Sequence, residues 1–153
     1  MDLICSAPRF PQSGETVIGT DFSTAPGGKG ANQAVQAARL GAEVAMVGRI
    51  GDDDFGRRIL DSLAASGVDT EGVTLSERPT AIGNIQLEVT ETGTANRILV
   101  VPGANMDWTE RDIAGLEARI PSADMLILQL EIPTEVDLAA ARIARRHGVP
   151  VIS

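Results

Sequence analysis

Apolar and polar positions alternate along this chain in two periods, and the period changes from segment to segment. Ala34, Val35, Ala37, Ala38 and Leu40 fall at helical spacing, which predicts a helix over 29–40 that stops at Gly41. Residues 43–47 (Glu-Val-Ala-Met-Val) read as a short buried strand. Phe55, Ile59, Leu60, Leu63 and Ala64 predict a second helix that ends before Gly67. The run 124–130 (Asp-Met-Leu-Ile-Leu-Gln-Leu) is almost continuously apolar, as expected of a strand covered on both faces. A helix over 134–147 follows, with Val136, Leu138, Ala140, Ile143 and Ala144 inside and Gly148 closing it, and Pro150-Val151-Ile152 opens another strand. Strands and helices taken in turn predict an α/β chain with a parallel, Rossmann-like sheet, flanked by helices and joined by right-handed crossovers.

Two segments break that rhythm. Residues 16–25 mix β-branched and polar positions, and 80–101 reads as a hairpin turning at Glu91-Thr92-Gly93-Thr94. Ile85, Leu87 and Val89 alternate with Gln86 and Glu88, the period-2 pattern of a sheet with one wet face. A small β-sheet inserted between α/β units is placed to act as a lid. Residues 1–153 are read as one unit, with lid segments at about 14–25 and 80–101. Both ends read as cut: Met1-Asp2-Leu3-Ile4-Cys5 resembles the tail of a strand, and 149–153 a strand entered and then abandoned.

Composition removes several classes of function. The 153 residues carry a net charge of −8, and the thirteen Lys and Arg form no stripe, which argues against nucleic-acid binding. With 43% hydrophobic residues and a mean hydropathy of +0.06, no apolar run approaches the length needed to cross a bilayer. The single cysteine, Cys5, excludes an internal disulfide and reads as a small core residue in a protein of the reducing cytoplasm.

Candidate chemistry gathers in Ala25-Pro26-Gly27-Gly28-Lys29-Gly30-Ala31-Asn32-Gln33-Ala34. Three glycines within four positions let a ligand approach the backbone, and the helix that follows opens with unpartnered N–H groups. Lys29 adds an ammonium and Asn32 a carboxamide. By itself Gly-Gly-Lys-Gly is equally a plain loop-to-helix turn, and it is not a Walker A loop. Asp52-Asp53-Asp54 reads as an N-cap with favourable dipole charges, and no metal site is assigned. Glu131, just beyond an apolar strand, sits where open α/β sheets bind ligands. His147 reads as a charge at a helix C-terminus.

In order along the chain, Gly14-Glu15-Thr16-Val17, the 27–34 loop, Gly41, Gly51-Asp52-Asp53 with Phe55-Gly56, Gly103-Ala104-Asn105 and Leu128-Gln129-Leu130-Glu131-Ile132-Pro133 resemble the ribokinase-type (pfkB) carbohydrate kinases. Lys29, Asn32, Gln33 and the Gln129-Leu130-Glu131 segment resemble the ribose-specific branch most. The resemblance implies ATP-dependent phosphorylation of D-ribose at its 5-hydroxyl. It implies sugar contacts at Asp2, Gly28, Lys29, Asn32 and Glu131, with Ile85 and Ile98 as lid residues over the sugar. It further implies ATP, Mg2+ and a monovalent cation as cofactors of a complete enzyme, none of them held by these residues, and a homodimer joined through the lid sheet. The family's Gly-Ser-x-Asn strand, its Asn-x-x-x-Glu segment and its Gly-Ala-Gly-Asp anion hole with the catalytic Asp are not among these residues. The 153-residue chain alone is therefore expected to recognise the sugar without catalysing transfer. Two alternatives stand beside this one: a non-catalytic sugar-binding or dimerising module, and another sugar or nucleoside kinase of the same fold.

Overall fold

The computed structural model describes residues 1–153. Its elements run β1 (Asp2–Ala7), β2 (Asp21–Ala25), α1 (Lys29–Arg39), β3 (Ala45–Gly51), α2 (Asp54–Ala65), β4 (Asp69–Ser76), β5 (Ile82–Thr90), β6 (Gly93–Val101), α3 (Glu110–Arg119), β7 (Leu126–Ile127), α4 (Thr134–Arg146) and β8 (Val151–Ile152). Parallel pairs β3–β4 and β7–β8 carry the four helices, and a separate four-stranded sheet has the order β2-β1-β5-β6. This is an α/β fold of parallel strands and helices with an additional small mixed sheet.

The helices end where their sequences say. Gly28 starts α1 at φ 101°, a conformation that side chains with a Cβ rarely adopt. Asp53 caps α2 by accepting from the Gly56 N–H at 2.8 Å, so the acid triplet contributes an N-cap, as read. Apolar stripes on α1 and α2 close around Ala34, Leu63 and Val68, with Val35, Met46 and Ile59 against them. A second cluster joins Leu116 and Ile120 to Val136, Ala140, Ile143, Ala144 and Val149, and so packs α3 against α4.

Several local readings are corrected. The opening residues form β1, which sits inside the mixed sheet, antiparallel to β2 and parallel to β5. Cys5 is exposed on that sheet and is not a core residue. In 124–130 only Leu126–Ile127 pair as a strand, and Met125, Ile127 and Leu130 stay exposed. Strand β4 and helix α3 are not predicted from the sequence, because neither has a strong apolar period. The signal for α3 was nonetheless present: Thr109-x-x-Asp112 forms a capping box ahead of Ile113, Leu116 and Ile120.

The first turn of α4 also buries a polar group, next in sequence to Val136 of the second cluster. Asp137 on α4 is 5% exposed and its Oδ1 has no hydrogen-bond partner, so burial pushes the carboxyl above the usual carboxylate range. A raised folded-state pKa favours the neutral acid, so this contribution is present at low pH and lost as pH rises through the ordinary carboxylate pKa toward the folded one. Asp137→Leu is expected to stabilise the chain at pH 7.5 by about 1–3 kcal/mol and to gain less at pH 4. Urea midpoints at the two pH values check this, and an equal gain at both would contradict it.

Candidate sugar-binding site

The start of α1 meets the segment that follows β7. Lys29 Nζ donates to Glu131 Oε1, and one turn along the helix Gln33 Oε1 accepts from Gln129 Nε2. Lys29 and Gln33 are i and i+4, so they share a helix face, and the two contacts staple that face to residues 129–131. Leu130 between them adopts φ 58°, the only positive φ at a non-glycine residue. A left-handed leucine costs about 1–2 kcal/mol. Here it lets Gln129 and Glu131, two residues apart, both reach α1.

From the other side comes β1. The Asp2 carboxylate lies directly over Gly27, where any Cβ would collide with it, and a Cβ on Gly83 would stand 3.1 Å from Asp2 Oδ1. Asp2 is thereby seated on the loop that leads into Gly28 and Lys29. Register puts Asp2 and Ile4 of β1 on one sheet face, and Ile4 pairs with Ile85, which pairs with Ile98. Both isoleucines therefore share the face that carries Asp2. Ile98 is 54% exposed, so that face is open.

Of the residues singled out from sequence, Lys29 and Glu131 are in contact, and Asp2 lies against Gly27, next in the chain to Gly28. Asn32 is exposed and lines a shallow groove of about 220 Å³ between α1 and α2, with Pro26, Val35 and Ile59. It makes no side-chain hydrogen bond to that group. Gln33 and Gln129, which share the family resemblance, join the site although no role is predicted for them; the i, i+4 spacing from Lys29 is the signal for Gln33. The left-handed turn at Leu130 had none, since leucine there favours no turn.

Lys29 and Glu131 keep 70% and 40% of their side-chain surface in solvent, so the pair is available to a ligand. Two carboxylates, an ammonium and carboxamides offer both acceptors and donors, which suits a neutral polyol. The same donor set does not fit a triphosphate, because both carboxylates would face the anion.

A description from outside the chain agrees. The pattern of the pfkB family carbohydrate kinases matches residues 1–153. The chain belongs to the pfkB family of carbohydrate kinases. It is 46% identical to a ribokinase of Bacillus subtilis over 99% of this chain and 51% of that protein. A ribokinase of Mus musculus is 40% identical over 99% of this chain and 46% of its own length. Among solved structures, Arabidopsis thaliana ribokinase complexed with ribose and ATP superposes with a TM-score of 0.82 at 32% identity, covering 98% of this chain and 48% of that one. This pfkB chain thus spans about half the length of the curated relatives it matches. No helix in it is long and apolar enough to cross a membrane.

Proposed function

We propose that this chain is the sugar-recognising part of an ATP-dependent carbohydrate kinase whose acceptor is D-ribose, phosphorylated at the 5-hydroxyl. The observation that carries it is the convergence of Lys29 and Glu131 at the glycine loop on which Asp2 is seated. In this reading Asp2 and Glu131 accept from sugar hydroxyls, Lys29 and the Gly28 backbone donate, and Asn32 joins them at the loop. Segments 14–25 and 80–101 form the lid, with Ile85 and Ile98 over the sugar to exclude water that would compete for the phosphoryl group. The ribokinase names among the relatives and the bound ribose and ATP of the Arabidopsis neighbour support the substrate and the nucleotide.

ATP supplies the phosphoryl group, and phosphoryl transfer depends on positioning and charge stabilisation. Because the donor set here suits a polyol, nucleotide, Mg2+ and monovalent-cation handling and the catalytic base are assigned outside these residues. This chain's own work is to bind the acceptor and orient it. Dimerisation through the lid sheet fits the same reading: Phe22 and Leu99 are 62% and 68% exposed, on the face opposite Asp2. With a single cysteine, a reducing cytoplasm is the proposed setting.

Calorimetric titration of the chain with ribose, fructose and adenosine tests the proposal. Ribose is expected to bind, and more tightly than the other two. Absence of ribose binding, or a preference for fructose or adenosine, overturns the substrate. ATP-dependent turnover by the chain alone overturns the placement of the catalytic base elsewhere.

A further inference from the structure

We propose that Asp53 and Thr80 form a clamp that positions the Asp2 carboxylate at the glycine loop. The reading rests on the sugar site proposed above. Asp53 does more than cap α2. Its Oδ1 accepts from the Thr80 hydroxyl at 2.7 Å and its Oδ2 from the Thr80 N–H at 2.8 Å, while Thr80 Oγ1 accepts from the Gly51 N–H at 2.9 Å. Thr80 is 4% exposed, so these bonds are shielded from water. Burial opposes ionisation of Asp53, but the Thr80 and Gly56 donors outweigh it and hold the carboxyl below its ordinary range. A capping carboxylate needs only one acceptor contact to serve its helix. Asp53 spends its remaining capacity on a residue 27 positions away in sequence.

From Thr80 the restraint runs to Asp2 without a gap. The Ala81 carbonyl accepts from the Met1 amine at 2.8 Å, and the Gly83 N–H donates to the Met1 carbonyl at 2.9 Å. Gly83 pairs with Asp2 in the β1–β5 register, and its bare Cα lies against the Asp2 carboxylate. The return strand is held at the same point, since Ala104 N–H donates to the Pro79 carbonyl at 2.8 Å. The four-stranded sheet is thereby tied to the α/β body at the base of its hairpin. Moving that base would lift Asp2 off Gly27.

Asp53→Ser separates cap from clamp: serine still caps α2, but its shorter side chain does not reach Thr80. Thr80→Val removes the hydroxyl, and Thr80→Ser restores it. Asp53→Ser and Thr80→Val are each expected to weaken ribose binding about tenfold, and Thr80→Ser to leave it within about twofold. Combined with Asp2→Asn, Asp53→Ser is expected to add almost nothing further. Full additivity with Asp2→Asn would make Asp53 a structural residue only and overturn the proposal. Amide exchange at Gly83 provides the arm that needs no sugar. It is expected to quicken about tenfold in Asp53→Ser while α4 amides stay unchanged. Unchanged Gly83 exchange refutes the clamp; a quickened Gly83 in a chain that binds no ribose refutes the sugar site and leaves the clamp standing.

Discussion

Arg49→Ala is expected to cost this chain about 3–5 kcal/mol, a large share of the stability of any domain of this size. The Arg49 side chain is 8% exposed on β3 and donates to Asp112, which is 10% exposed, with Asp107 at 3.6 Å. A further N–H donates to the Leu75 carbonyl at 2.8 Å. Asp112 in turn accepts from the Thr109 N–H at 2.9 Å and the Thr74 hydroxyl at 3.0 Å. Strands β3 and β4 are thus locked to the start of α3 through one guanidinium. Alanine leaves the Asp112 carboxylate buried with no countercharge, and that desolvation dominates the loss. Burial opposes the charge on Asp112, yet the Thr109 and Thr74 donors and Arg49 hold its carboxyl below the ordinary range. A lowered folded-state pKa means this contribution is present above the unfolded carboxylate pKa and lost as pH falls through the folded one. Urea denaturation of wild type and variant at pH 7 measures the difference. A loss under 1 kcal/mol would show the network to be incidental.

Lys29→Ala and Glu131→Ala should behave in the opposite way. Their ion pair is exposed, and such pairs contribute about 0–1 kcal/mol, so the melting temperature is expected to stay close to wild type. Ribose binding, by contrast, is expected to weaken about 10- to 100-fold, the worth of one hydrogen bond to a charged group. The pair also makes the variants informative together. In the free chain each partner satisfies the other, so a bound sugar must share or replace that contact. Glu131→Gln is expected to lose less than Glu131→Ala, because the amide still accepts from a hydroxyl. Unchanged ribose affinity in Lys29→Ala would remove Lys29 from the site, and a fall in melting temperature as large as that of Arg49→Ala would make it a structural residue.

The contrast follows from burial. Arg49 and Lys29 are both cations paired to carboxylates, and composition treats them alike. One lies where water cannot replace a lost partner, and the other where it can.

Legibility in the sequence followed the strength of each local signal. Helices α1, α2 and α4 were readable because apolar residues recur at 3.6 and glycine or an N-cap acid marks their ends. The β5–β6 hairpin was readable because Ile85, Leu87 and Val89 alternate with Gln86 and Glu88 and a glycine stands at the turn. Helix α3 is too polar, and β4 too mixed, to stand out by period. The run 124–130 misled because an apolar stretch records what a segment tolerates, not how many of its residues pair. The family resemblance groups the glycine loop, Lys29 and Glu131 around one sugar; the direct Lys29–Glu131 contact runs through the left-handed Leu130, which no residue type announces.

The amino-acid order by itself determined the α/β class, the glycine-lined entry to α1, the family and the residue types offered to a ligand. Those properties are local, written in periodicity, in glycine placement and in the chemistry of single side chains. Only the tertiary structure decided that Lys29 reaches Glu131 across 102 positions, that β1 lies within the mixed sheet, and that Asp53 serves Thr80 as well as its own helix. Such pairings depend on how sheets and helices pack in three dimensions. A carboxylate carries no mark in sequence of which distant donor will share its burial.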